Sequence, residues 1–120
     1  MATVLVVDDD PDLLQIAATV LTEDGHHVLT ARSGEEALTT LEHHPVDLLL
    51  TDVILPGVDG FTLADVASRR FATLRTMYMS GCYTRVPLET QALDDGTVVT
   101  KPWRANDFSV QVKAFLAGAR

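Results

Sequence analysis

Four charged residues stand directly behind short apolar runs. Asp8 and Asp9 follow Val4–Val7, Asp52 follows Leu48–Leu50 and Thr51, and Lys101, itself followed by Pro102, comes after Val98, Val99 and Thr100. Continuous apolar runs of this length suit strands buried on both faces, as in a parallel sheet covered by helices. Open sheets of that kind take their ligands in the crevice beyond the carboxyl ends of the strands. Three carboxylates and one ammonium at three strand ends can therefore converge on one spot. Such a set suits a divalent cation together with a phosphoryl group.

The elements that must position these residues alternate from end to end. Residues 3–8 read as the first strand. Asp10 can cap the helix that follows and Pro11 fits its first position. Leu13, Ile16, Ala17, Val20 and Leu21 recur at helical spacing as its apolar stripe, with Gly25 as the stop. His27–Ala31 is a second short strand. Ser33 to Glu36 has the residue types of a capping box, and Ala37, Leu38 and Leu41 give the second helix its apolar face. Residues 46–51 form a third strand, and Asp52 to Gly60 is a loop rich in Pro and Gly. Phe61, Leu63, Ala64, Val66 and Ala67 populate a third helix, and residues 74–79 a fourth strand ending at Ser80-Gly81. Thr84 to Leu93 predicts a fourth helix interrupted by Pro87. Residues 97–100 are a fifth strand, and a last helix runs from about Asn106 to Ala117 with Phe108, Val112, Phe115 and Leu116 facing in. The expected fold is α/β: one domain over residues 1–120, a five-stranded doubly wound parallel sheet flanked by five helices, with right-handed crossovers.

Composition narrows the function classes. A chain of 120 residues with 47% hydrophobic content can bury one real core. Its formal charge of −8, with scattered basic residues, speaks against direct nucleic-acid binding, which needs a basic patch. No apolar run approaches a membrane span and no signal peptide is evident, so membrane insertion is not expected. The single cysteine, Cys82, has no internal disulfide partner and fits a reducing, cytoplasmic setting. The pairs His26-His27 and His43-His44 lie where a helix gives way to a strand, and adjacent residues point in different directions. They read as surface turn residues rather than metal ligands.

In order and spacing, VLVVDDDPDLL, LLLTDVILPGVDG, MSG and VVTKPW resemble the receiver domain of two-component response regulators, the CheY-like family. The resemblance covers the whole chain, and the MSGCYT stretch is similar to receiver modules fused to or paired with hybrid histidine kinases. It implies a flavodoxin-like strand order of 2-1-3-4-5. It also implies a phosphorelay role in which Asp52 accepts a phosphoryl group from phosphohistidine on a sensor histidine kinase or histidine phosphotransferase. A carboxylate needs no base at neutral pH; it needs charge neutralisation, since phosphoryl transfer is mostly positioning and electrostatics. By resemblance Mg²⁺ is held by Asp9 directly, by Asp8 partly through water, by Asp52, and by the backbone carbonyl of Ile54. Lys101 and the Ser80 hydroxyl would contact the phosphoryl oxygens, and the changed surface would signal to a downstream protein or a fused output domain. The chain would catalyse only its own phosphorylation and dephosphorylation, not turnover of a substrate. It ends with the last helix and reads as a stand-alone receiver or a segment of a longer protein.

Other readings stay open at this level. Asp8 to Asp10 is also what a turn and helix cap requires; the lesser alternatives are a turn for Ser80 and a surface position for Lys101. Trp103 fits packing beside the last helix better than docking. Family members carry an aromatic residue three positions before the lysine, where this chain has Val98, so the expected response lies in the loop after Ser80 and around Pro87. Ile54 and Cys82 flank the route of the hydrolytic water in the family and orient water poorly, which implies an acyl phosphate that is not short-lived. A pseudo-receiver acting without phosphorylation is the main alternative. An aspartyl phosphatase would want a second aspartate at the position of Ile54.

Overall fold

A computed structural model describes residues 2–80, 98–100 and 104–117 of the chain. The strands are β1 (Thr3–Val7), β2 (His27–Ala31), β3 (Leu48–Asp52), β4 (Arg75–Ser80) and β5 (Val98–Thr100). The helices are α1 (Pro11–Glu23), α2 (Gly34–His43), α3 (Gly60–Arg70) and α4 (Ala105–Leu116). The sheet order is β2-β1-β3-β4-β5, all neighbours parallel, as expected. The helix predicted over residues 84–93, with Pro87, lies outside the described residues, as do Cys82, Lys101 and Trp103.

The apolar runs behave as strands buried on both sides. Val4 to Val7 and Leu48 to Leu50 are fully buried. Alternate residues serve two separate cores, because successive side chains point to opposite faces. On one face Val4, Val6, Leu48, Leu50, Met77 and Met79 pack with α1 and α4 through Ala17, Leu21, Phe108 and Val112. On the other, Leu5, Val7 and Leu49 pack with α2 and α3 through Ala37, Leu41, Leu63 and Ala67.

Local chemistry sets the helix starts. The Asp10 side chain accepts from the backbone N–H of Asp12 (3.0 Å) and Leu13 (3.4 Å), and Ser33 Oγ accepts from Glu36 N at 3.1 Å. Glu36 reaches back one residue beyond an ordinary capping box, to the N–H of Arg32. Asp59 caps α3, accepting from Thr62 N at 2.8 Å.

Three expectations need correcting. The buried stripe of α1 is Leu14, Ala17 and Leu21, with Leu13 and Val20 partly buried against the same core, whereas Ile16 is 53% exposed; four apolar residues crowd its first turns, and Ile16 is the one turned away from the sheet. β3 runs through Asp52 rather than stopping at Thr51, because β4 continues the ladder: Asp52 is in register with Met79, and Val53 N donates to Met79 O at 3.0 Å. His26 is a half-buried joint rather than a surface turn residue. Its Nδ1 accepts the Ala2 N–H at 3.2 Å, and its Nε2 is buried with no hydrogen-bond partner among the described residues.

Burial holds the His26 imidazole below its ordinary pKa of 6.5, against the pull of Asp24. The unfolded chain therefore takes the proton first, so stability falls as pH drops through 6.5 and levels off below the folded value. His26→Gln is expected to flatten this part of the profile, as read from thermal unfolding between about pH 7 and pH 5.

A polar clasp joins α1 to α4. Asp24, the C-cap of α1, accepts from Ser109 Oγ at 2.5 Å and pairs with Lys113 Nζ at 3.4 Å. The Ser109 hydrogen bond, chiefly, with help from Lys113, holds its carboxyl below 3.8 despite partial burial. Its contribution is present above the unfolded carboxylate pKa and is lost as pH falls through the lower folded value. Ser109→Ala is expected to cost about 1.5–3 kcal/mol in urea unfolding at neutral pH, as for a hydrogen bond to a charged group. The difference from wild type should shrink once the medium is acidic enough to protonate Asp24.

Candidate functional site

β1 and β3 are adjacent, in register from Val4↔Leu48 to Val7↔Thr51, so their carboxyl ends fall side by side. Asp8 is the first residue past β1. Its N–H donates to Ala31 O at 3.1 Å, and its Oδ1 accepts the Asp10 N–H at 2.9 Å. This Asx turn reverses the chain into α1 and leaves Asp8 1% exposed. Asp9, at the apex of that turn, is exposed. Asp52 closes β3, 8% exposed, and its Oδ1 accepts the Ile54 N–H at 3.3 Å.

One carboxylate oxygen from each of Asp8, Asp9 and Asp52 lies within 4.8 Å of the others. Among the described residues this is the single group of three such side chains placed to hold a metal ion. Two oxygens on one Mg²⁺ lie at most about 4.2 Å apart, twice the usual bond length. Neighbouring oxygens in an octahedral shell lie closer, about 3 Å apart, so the three acids can share one ion once their side chains draw together or a water bridges one of them. Hard oxygen donors, two of them buried, fit Mg²⁺ and not a softer thiolate- or imidazole-seeking metal.

The remaining expected site residues fall differently. Ile54 stands on the rim with a 54% exposed side chain. Ser80 ends β4, one residue past the partner of Asp52, and its main chain is in register with Thr100; its side chain lies outside the described residues. Lys101 also lies outside them, next in the chain after Thr100 at the end of β5.

Sequence reasoning missed three features here. Thr51 is fully buried, and its Oγ1 donates to the Asp52 carbonyl at 3.0 Å. Gly60 approaches that same carbonyl so closely that a Cβ would lie 2.1 Å from its oxygen. The Asp-Gly pair ahead of a helical pattern was the available signal, though it reads equally as a turn. Third, an aromatic residue does stand beside Val98: Tyr78 is its register partner on β4 and packs against Phe61, ring centroids 4.9 Å apart. Burial first, and then Asp65, push the Tyr78 hydroxyl above its ordinary pKa.

A doubly wound parallel sheet with an acidic cleft at the carboxyl ends of its two central strands defines a class of phosphate- or cation-handling α/β domains. The chain's membership is more specific. The family model for the response regulator receiver domain matches residues 4–113, and the chain belongs to that family. It is 31% identical, over 99% of its length and 100% of the relative's, to the response regulator receiver protein CpdR of Brucella abortus. It is 34% identical to the transcriptional regulatory protein KdpE of Mycobacterium tuberculosis over 95% of its length, spanning 50% of that protein. Among solved structures it resembles the receiver domain of the hybrid histidine kinase CckA, at 35% identity and TM-score 0.78, covering 95% of this chain and 98% of that one. It also resembles the response regulator TrrA of Thermotoga maritima in complex with Mg²⁺-BeF, at 28% identity and TM-score 0.81, covering 94% and 97%. The protein is thus a receiver domain of two-component signal transduction, with the acidic pocket where receivers bind Mg²⁺. No described helix is long and apolar enough to cross a membrane.

Proposed function

We propose that Asp52 is a phosphoacceptor, taking the phosphoryl group of a phosphohistidine on a sensor histidine kinase or histidine phosphotransferase. The observation that carries this reading is the convergence of Asp8, Asp9 and Asp52 at the ends of adjacent strands. A carboxylate oxygen of Asp52 attacks phosphorus in line. The P–N bond breaks, its electron pair leaves with the imidazole, and an aspartyl phosphate remains. Bound Mg²⁺ supplies the positive charge that lets an anionic phosphoryl group approach three carboxylates. Asp8 and Asp9 would hold that ion, and Asp52 and the Ile54 carbonyl would complete the protein's ligand set. The Asx turn fixes Asp8, and the end of the β-ladder fixes Asp52, so the acids are set before the donor arrives. Ser80 and Lys101 contact the phosphoryl oxygens and read the phosphorylated state.

The chain acts as a cytoplasmic signalling phosphoacceptor rather than an enzyme with turnover, and passes its state to a protein partner or a fused output domain. Its MSGCYT stretch and its similarity to the CckA receiver support a phosphorelay fed by a hybrid kinase. The formal charge of −8 supports a protein partner and not nucleic acid. Val98 favours the pseudo-receiver alternative, in which partners bind without phosphorylation, while the assembled acids favour acceptance.

Incubation with acetyl phosphate and Mg²⁺, followed by intact mass measurement, tests the reading. One phosphoryl adduct that requires Mg²⁺ is expected. No adduct under these conditions favours the pseudo-receiver, and steady hydrolysis of an added aryl phosphate ester favours a phosphatase.

A further inference from the structure

We propose that Gly60 is a positioning residue for the phosphoacceptor: the absence of a side chain there sets where the Asp52 main chain sits, and with it the Asp52 carboxylate relative to Asp8 and Asp9. The inference rests on the phosphoacceptor reading of Asp52 and adds a residue eight positions downstream to its machinery.

Gly60 is the first residue of α3. Its φ is not positive, unlike those of Gly25 and Gly57, so conformational freedom does not explain a glycine here. Space does. A Cβ would stand 2.1 Å from the Asp52 carbonyl oxygen, 3.0 Å from the Asp52 carbonyl carbon and 3.0 Å from Val53 Cα. All three are backbone atoms, which cannot swing aside as a side chain can. The Gly60 N–H also donates to Val53 O at 2.9 Å. The start of α3 is thereby clamped against the strand end that carries the nucleophile.

Any Cβ at position 60 needs about 1 Å of separation between α3 and the end of β3. α3 resists, because Leu63 and Ala67 are fully buried in the core. At Asp52 the ladder is one-sided: Thr51 is the last β3 residue in register with β1, and β4 alone continues beside Asp52 through Met79. Part of the displacement therefore falls on Asp52. An error of that size at a reacting group costs up to roughly 100-fold in rate.

Gly60→Ala is compared with Gly34→Ala, a second tight position where a Cβ would meet Val58, its Cβ at 2.9 Å and its carbonyl oxygen at 3.1 Å, instead of the Asp52 main chain. Three quantities are read on each full chain: Mg²⁺ affinity by calorimetry, rate of adduct formation from acetyl phosphate, and stability to urea. Gly60→Ala is expected to weaken Mg²⁺ binding about 5-fold or more and to slow adduct formation roughly 10- to 100-fold. Gly34→Ala should lose stability while keeping both values within about twofold of wild type. Wild-type affinity and rate in folded Gly60→Ala overturn the proposal, and so does an equal loss in Gly34→Ala. If Gly60→Ala does not fold, amide spectra of the wild type decide. Mg²⁺ addition should move the Gly60 resonance with that of Asp52 while Gly34 stays put, and an unmoved Gly60 overturns the proposal. A wild-type chain that binds Mg²⁺ but forms no adduct counts against the phosphoacceptor reading alone, because the Mg²⁺ affinities still test Gly60.

Discussion

Asp52→Asn is expected to abolish the phosphoryl adduct that acetyl phosphate and Mg²⁺ leave on the wild-type chain, a fall of roughly 10³-fold or more, as for loss of any covalent nucleophile. The amide keeps the shape of the carboxylate and can still accept the Ile54 N–H, so the strand end should hold its conformation. What it loses is the anionic oxygen that bonds to phosphorus. Asp52 is 8% exposed and stands beside two other acids, so a urea melt without metal checks that the variant keeps the fold. Intact mass reads the adduct. An adduct that persists in the folded variant would place the acceptor elsewhere.

Asp9→Asn should separate metal binding from the nucleophile. Asp9 is exposed, so its charge can be removed at little cost to the fold. If it ligates Mg²⁺ directly, as proposed, it should matter more than an outer-shell partner, whose loss costs about 10- to 100-fold in affinity. A fall of roughly 100-fold in Mg²⁺ affinity is therefore expected. Wild type at about 100 times its dissociation constant gains about 2.7 kcal/mol from the ion. The variant, at its own dissociation constant under the same conditions, should keep only about 0.4 kcal/mol of that gain. Thermal unfolding with and without Mg²⁺ measures the difference, and an undiminished shift in the variant would remove Asp9 from the ligand set.

The sequence carried most of the plan. Alternating strand and helix patterns fixed a parallel sheet, and charges behind the apolar runs of β1 and β3 pointed to the cleft. What escaped detection depends on pairs of segments rather than on one. Four apolar residues at the start of α1 leave the choice of buried face open until the sheet selects Leu14 over Ile16. Whether Asp52 ends a strand or opens a loop is decided by β4, which supplies the Met79 carbonyl. Gly60 looks like any turn glycine because the atoms it must avoid belong to Asp52 and Val53. His26 looked like a turn residue since nothing within its own segment announces the Ala2 amide.

The sheet is a wall with separate tenants on either side. Leu49 and Leu50 are neighbours in the chain, yet each belongs to a different hydrophobic compartment. A packing fault on the α1–α4 flank should therefore leave the α2–α3 flank, with Leu55 and Val58 of the loop after Asp52, largely intact, since substitutions that share no partner act independently.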